Sequence, residues 1–92
     1  MPLYVDGFVL PIQADKLAEY QAIASKASEV WKEHGALEYR ECVLEDAECS
    51  EMTPFPTLAG TKDGETVVLA YIVYESREQR DAVNAKVMAD PR

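Results

Sequence analysis

Glu65-Thr66-Val67-Val68-Leu69-Ala70-Tyr71-Ile72-Val73-Tyr74 decides the fold of this chain. The run is rich in β-branched and aromatic residues, which suit extended backbone. Successive side chains of a strand point to opposite faces. Val67, Leu69, Tyr71 and Val73 therefore share one face, and Val68, Ala70, Ile72 and Tyr74 share the other. A strand with one wet face alternates apolar and polar residues. This one is apolar on both faces, so both are expected to be covered. The rest of the chain offers two long helical patterns, and two helices on one face of a sheet leave the opposite face bare. A second copy of the chain is the simplest cover. The sequence thus predicts a small α+β homodimer, and it names no reaction.

Working outward, residues 3–10 read as a first strand, with Asp6 and Gly7 interrupting it and Pro11 ending its pairing or marking an edge. Asp15 is a suitable N-cap for a helix over residues 16–34. Leu17, Tyr20, Ala24, Ala27 and Trp31 recur at helical spacing, and Ile23 and Val30 widen the stripe. Gly35 stands where a helix-ending glycine is wanted. A second strand follows over residues 36–44, with Leu37, Tyr39, Glu41 and Val43 on one parity and Glu38, Arg40, Cys42 and Leu44 on the other. Its polarity places it at an edge or beside a cavity. Residues 45–64 show no clear periodicity and read as a long loop, with Phe55 as a possible anchor. Ser76, with Gln79 three residues on, fits a capping box for a last helix. Its apolar face is Ala82, Val83, Val87 and Met88. The order βαββα suggests a ferredoxin-like antiparallel sheet with helices on one face. Such a sheet normally closes with a fourth strand, which this sequence does not supply.

The chain has 92 residues, which predicts a single domain over residues 1–92 with a core small enough for an interface to matter. Seventeen acidic residues against nine basic give a net charge of −8, a field that repels nucleic acid and anionic membranes. No apolar run approaches the roughly 20 residues of a membrane span. The N-terminus lacks the basic start and apolar centre of a secretion signal. Cys42 and Cys49 form no disulfide framework, which points to the reducing cytoplasm. No metal-ligand spacing, phosphate loop or cofactor motif is present, so neither metal nor cofactor is expected.

Several segments together resemble the YbaA-like family of small bacterial proteins of uncharacterised function, which belongs to the dimeric α/β-barrel superfamily. They are residues 4–9, 32–37, Glu41-Cys42, Phe55-Pro56, 65–68 and 81–92. The closing Asn84-Ala85-Lys86-Val87-Met88-Ala89-Asp90-Pro91-Arg92 is the most specific. The resemblance implies a ferredoxin-like fold and a homodimer whose sheets face each other. It implies no reaction, because the superfamily holds cofactor-independent monooxygenases, haem-handling enzymes and isomerases alike. The family usually continues past the Asp-Pro-Arg run into a last strand, so closure of this sheet beside its first strand is left open.

The residues that could carry chemistry are few. Asp6 is a carboxylate in an apolar strand, where ionised groups are costly unless paired. It shares parity with Tyr4 and Phe8, and its expected partner is Arg40 first, or else a tyrosine hydroxyl or backbone amides. Arg40 could instead clamp a ligand carboxylate or pair with Glu38. His34, the single histidine, reads either as a general base or as a helix C-terminal residue favoured by the dipole. Cys42 is a nucleophile or, more plainly, a small buried thiol. Cys49 lies among carboxylates that disfavour a thiolate. The acidic run 45–51 lacks calcium-loop spacing and reads as a solvated loop. Trp31, Tyr39, Tyr71 and Tyr74 are core or pocket aromatics. Asp6, His34 and Arg40 are thus the catalytic candidates, and Tyr4, Asp6, Phe8, Arg40, Cys42 and Tyr71 the ligand-binding ones. The leading reading is a small-molecule-binding homodimer. The rivals are a cofactor-independent monooxygenase or isomerase and a purely structural dimer. Convergence of His34, Asp6 and Arg40 on one cavity would favour chemistry.

Overall fold

The computed structural model describes residues 2–46 and 52–91. The element order is β1 (Tyr4–Gln13), a 3-10 turn (Ala14–Lys16), α1 (Leu17–Glu33), β2 (Glu38–Val43), α2 (Phe55–Ala59), β3 (Glu65–Tyr74) and α3 (Arg77–Ala89). Among the described residues the sheet has three strands in the order β1-β3-β2, and both pairings are antiparallel. β1 and β2 therefore run parallel to each other with β3 between them, the split arrangement of a ferredoxin-like α+β fold. The strand that is apolar on both faces occupies the centre of the sheet.

Register assigns the faces. Tyr4, Asp6 and Phe8 pair with Tyr74, Ile72 and Ala70, while Tyr39, Glu41 and Val43 pair with Ile72, Ala70 and Val68. These residues share the face on which Trp31, Val83 and Val87 pack against Ala36, Ile72 and Tyr74. Val68 and Tyr74 are fully buried there, and Val83 is nearly so. Each such side chain contributes about 1.5–3 kcal/mol of hydrophobic stabilisation. The opposite face carries Val5, Gly7 and Val9 of β1, Leu69, Tyr71 and Val73 of β3, and Glu38, Arg40 and Cys42 of β2. Leu69, Tyr71 and Val73 remain half-buried, and Val5 is 56% exposed. Val67, at the other end of this parity, is covered.

Several boundaries differ from the sequence reading. β1 runs through Asp6, Gly7 and Pro11 to Gln13, because an edge strand tolerates a residue without an N–H. Asp15 caps nothing. It lies inside the 3-10 turn, whose preceding residue Gln13 makes no side-chain cap. The Ala14 N–H instead donates to the Gly64 carbonyl at 2.9 Å. Ile23 does not widen the buried stripe: it is 70% exposed, beside a groove between α1 and α3. Met88 is likewise exposed. The expected loop contains α2, which is opened by Pro54 and Pro56 and is too short to show a period. Phe55, at its start, is 39% exposed, and α2 lies against β1 and β3.

Two local expectations hold. The Gln79 N–H donates to the Ser76 hydroxyl at 3.1 Å, and the Gln79 side chain reaches back to the Glu75 N–H. Gln79 Nε2 also donates to the Gly35 carbonyl at 2.8 Å, tying the start of α3 to the turn after α1. Gly35 has φ +119°, and a Cβ there would meet Val83 at 3.4 Å, an ordinary contact distance. The turn needs glycine for its backbone.

Candidate functional site

The residues singled out in the sequence fall into three separate places. Asp6 lies on the helix-covered face, and its partner is Arg80 of α3, not Arg40. Arg80 Nη1 donates to Asp6 Oδ1 at 2.9 Å and to Oδ2 at 3.2 Å. The Arg80 guanidinium lies 5.0 Å from the centre of the Tyr4 ring, and its Nε donates to Asp81 at 2.8 Å. Arg40 cannot reach this group, because it pairs with Tyr71 and so points to the other side of the sheet. The neighbouring Tyr74 hydroxyl lies 3.5 Å from Asn84 Oδ1, and its pKa is raised by burial and then by the charge of Asp6. Tyr4, Asp6, Tyr74 and Arg80 therefore pin β1 and β3 to α3. Phe8 shares the face but stays partly exposed.

His34 caps the C-terminal end of α1, and its Nε2 lies 2.9 Å from Asp90 Oδ2, just beyond α3. The pair joins the ends of the two helices. Cys42 is exposed on the opposite sheet face, so it is neither the buried thiol expected nor a nucleophile beside this histidine. Asp6, His34 and Arg40 thus do not converge. Cys49 and the rest of the acidic run over residues 47–51 lie outside the described residues. Among the described residues, no group of three or more His, Cys, Asp and Glu side chains is placed to hold a metal ion.

On the open face, Arg40 and Cys42 of the edge strand β2 stand beside Tyr71 of the central strand. Arg40 lies directly across from Tyr71, and Cys42 across from Leu69. Arg40 makes one loose, exposed contact, with Glu38 at 3.4 Å. Such a pair is worth about 0–1 kcal/mol and leaves the guanidinium available.

The sequence reading missed one constellation. Between α1 and β2 lies a cavity of about 380 Å³, lined by Tyr20, Ser25, Ser28, Tyr39, Glu41 and Val43 among others. The Tyr20 hydroxyl donates to Glu41 Oε2 at 2.7 Å, and the Tyr39 hydroxyl donates to Glu41 Oε1 at 3.2 Å. Burial, then the charge of Glu41, pushes the Tyr39 phenol up to about 12. Tyr20 is held higher still, by burial and by its bond to the same carboxylate. Helical spacing places Tyr20 on the inner stripe, and strand parity places Glu41 beside Tyr39 and Val43. A carboxylate on an apolar parity was the signal, the same one that drew attention to Asp6.

Fold and site together define an α+β protein of ferredoxin-like arrangement, with one sheet face covered by helices and the other partly open along Leu69, Tyr71 and Val73. The chain belongs to the family described as a protein of unknown function, DUF1428, which it matches over residues 3–92. It is 44% identical over 89 residues to the uncharacterized protein YbaA of Escherichia coli strain K12, covering 97% of this chain and 76% of the relative. YbaA of Shigella flexneri is similar to the same extent. No helix among the described residues is long and apolar enough to cross a membrane.

Proposed function

We propose that this chain acts in the cytoplasm as a homodimer whose open sheet faces pack toward each other and enclose a small-molecule site. One observation carries the reading: Val5, Val9, Leu69, Tyr71 and Val73 form an apolar sheet face that remains partly exposed. A contiguous apolar patch of this kind marks an interaction surface. A second copy brings a complementary face of the same chemistry, related by two-fold symmetry.

Arg40, Cys42 and Tyr71 lie on that face and would border the enclosed space. A guanidinium with one loose partner can take a ligand carboxylate in a two-pronged bond. Tyr71 and Cys42 would add a hydroxyl and a polarisable thiol. Binding is favoured over catalysis because Asp6 and His34 are each engaged by a side-chain partner away from Arg40. Tyr4, Asp6 and Phe8 then serve the helix-covered side of the sheet and not the ligand.

Sedimentation velocity at micromolar concentration tests the dimer: one species of twice the chain mass is expected, and a folded monomer throughout that range overturns the reading. A thermal-shift screen with small carboxylates tests the ligand. A rise in midpoint for wild type that Arg40→Ala abolishes is expected. No rise with any compound removes the small-molecule half and leaves a structural dimer.

A further inference from the structure

We propose that the cavity between α1 and β2 is a separate binding site for a small organic ammonium ion, anchored by the Glu41 carboxylate between Tyr20 and Tyr39. The cavity opens on the helix-covered side of the sheet, so it does not depend on the packing of the open faces. Its volume of about 380 Å³ lies within the range of roughly 300–1,000 Å³ typical of small-molecule sites.

Hydrogen-bond directions define what the site can take. Both phenols spend their only proton on Glu41. A phenol has one O–H, and an ionised carboxylate has none to give. What these three groups still offer is lone pairs: those of two phenol oxygens and the free ones of two carboxylate oxygens. An anion is repelled by the carboxylate, and a pure acceptor finds donors only on the α1 wall, at Gln21, Ser25 and Ser28, whereas an ammonium group brings two or three donors to the acceptors around Glu41. Charge points the same way. Among the described residues no cationic side chain pairs with Glu41, so the cavity holds an uncompensated negative charge. The chain as a whole, at −8, attracts cations. Aromatic rings add cation–π attraction, and Ala24, Val43 and Val68 supply an apolar wall for an alkyl body. A hard divalent cation fits poorly, because such ions want about six or more oxygen ligands and several carboxylates, and here there is one. A glutamine at position 41 could keep both phenol contacts, accepting from one hydroxyl at its oxygen and donating to the other from its amide, at lower desolvation cost, so the charge is the part left unexplained by folding.

Titration of isotope-labelled protein by two-dimensional NMR decides the matter, with n-butylammonium chloride as probe and n-butanol, butyrate and sodium chloride as controls. Saturable shifts confined to residues 20–28 and 39–43 are expected with butylammonium and not with the controls. Glu41→Gln should keep the folded spectrum and weaken binding by at least about tenfold. Ser28→Leu, which fills the cavity from α1, should abolish it. Absence of saturable shifts with butylammonium overturns the proposal, as do equal shifts with sodium chloride or unchanged affinity in Glu41→Gln. If Glu41→Gln fails to fold, Ser28→Leu decides: retained binding overturns the site. Sedimentation of the same samples separates this result from the dimer, since binding by a monomer supports the cavity while refuting the packed open faces.

Discussion

Val68, Ala70, Ile72 and Tyr74 on one side of β3 are sealed under helices, while Leu69, Tyr71 and Val73 on the other side stay half-buried. The two sets are nearly matched in apolar content. What differs is the polar residues around them. On the sealed side each carboxylate has close partners: Asp6 holds Arg80, and Glu41 holds two phenols. On the open side Arg40 has a 3.4 Å contact and Cys42 is free. Polar groups that look functional in a strand can be fasteners between sheet and helix. Those with the least structural employment are the better candidates for an outside partner.

The largest expected effect breaks the sealed side. Tyr74→Ala should cost about 3–5 kcal/mol in urea unfolding, by lost burial and a cavity beside Val83 and Ile72. Tyr71→Ala, on the opposite face, should cost less than half as much in a chain held monomeric. Equal losses would mean that the two faces are equally packed within one chain. Next comes the open side. Leu69→Asp combined with Val73→Asp should raise the dimer dissociation constant at least about a hundredfold, because unpaired carboxylates at a packed apolar interface are strongly unfavourable. Sedimentation should show monomer with the helical circular dichroism retained. Loss of that signal would mean the face supports the chain's own fold.

The same contrast marks what could be read from residues alone. Glu65–Tyr74 gave itself away as a central strand because its apolarity does not depend on which face is counted, and Ser76 with Gln79 marked the start of α3. Periodicity assigns a residue to a face but not to whatever lies over that face. Asp6 was therefore noticed, but its partner Arg80 stands 74 positions away, where no local rule connects them. Arg40 was closer in sequence and on the wrong parity. Glu41 was recorded with Tyr39 and Val43, yet its second partner, Tyr20, came into view only when α1 was laid across β2. The five residues of α2 were hidden because one turn of helix has no repeat to detect.

A subtler effect of the sealed side should appear at alkaline pH. Tyr39 has its phenol pushed up to about 12, and Tyr20 and Tyr74 are also raised, in each case chiefly by burial. An unfolded chain titrates its phenols near 10. Between about 10 and 12 the native state therefore binds more protons than the unfolded state. The stabilisation from these phenols is complete below about 10 and is lost as pH rises through the folded value. Tyrosinate absorbance should lag in native protein relative to urea-unfolded protein, and stability should fall across that window. Tyr39→Phe should flatten the fall, and an unchanged slope would argue against a Tyr39 phenol raised by burial and the charge of Glu41.

The smallest effect sharpens the comparison most, because it should be invisible in one assay and visible in another. Among the described residues Arg40 pairs with Glu38, at 3.4 Å and in solvent. Exposed pairs of that kind contribute at most about 1 kcal/mol and often nothing measurable. In a monomer made instead by Val5→Asp and Val9→Asp on β1, which β3 separates from Arg40, Arg40→Ala should therefore leave the unfolding free energy within about 0.5 kcal/mol of its parent. In the otherwise native chain the same change falls on the face proposed to meet a second copy, where Arg40 stands across from Tyr71. There it should alter the dimer dissociation constant. A shift in the monomer's stability would make Arg40 another fastener within the chain. No change in either assay would leave the open face without a polar contribution to its packing and Arg40 free for a ligand carboxylate, the role that the thermal-shift screen with Arg40→Ala then decides.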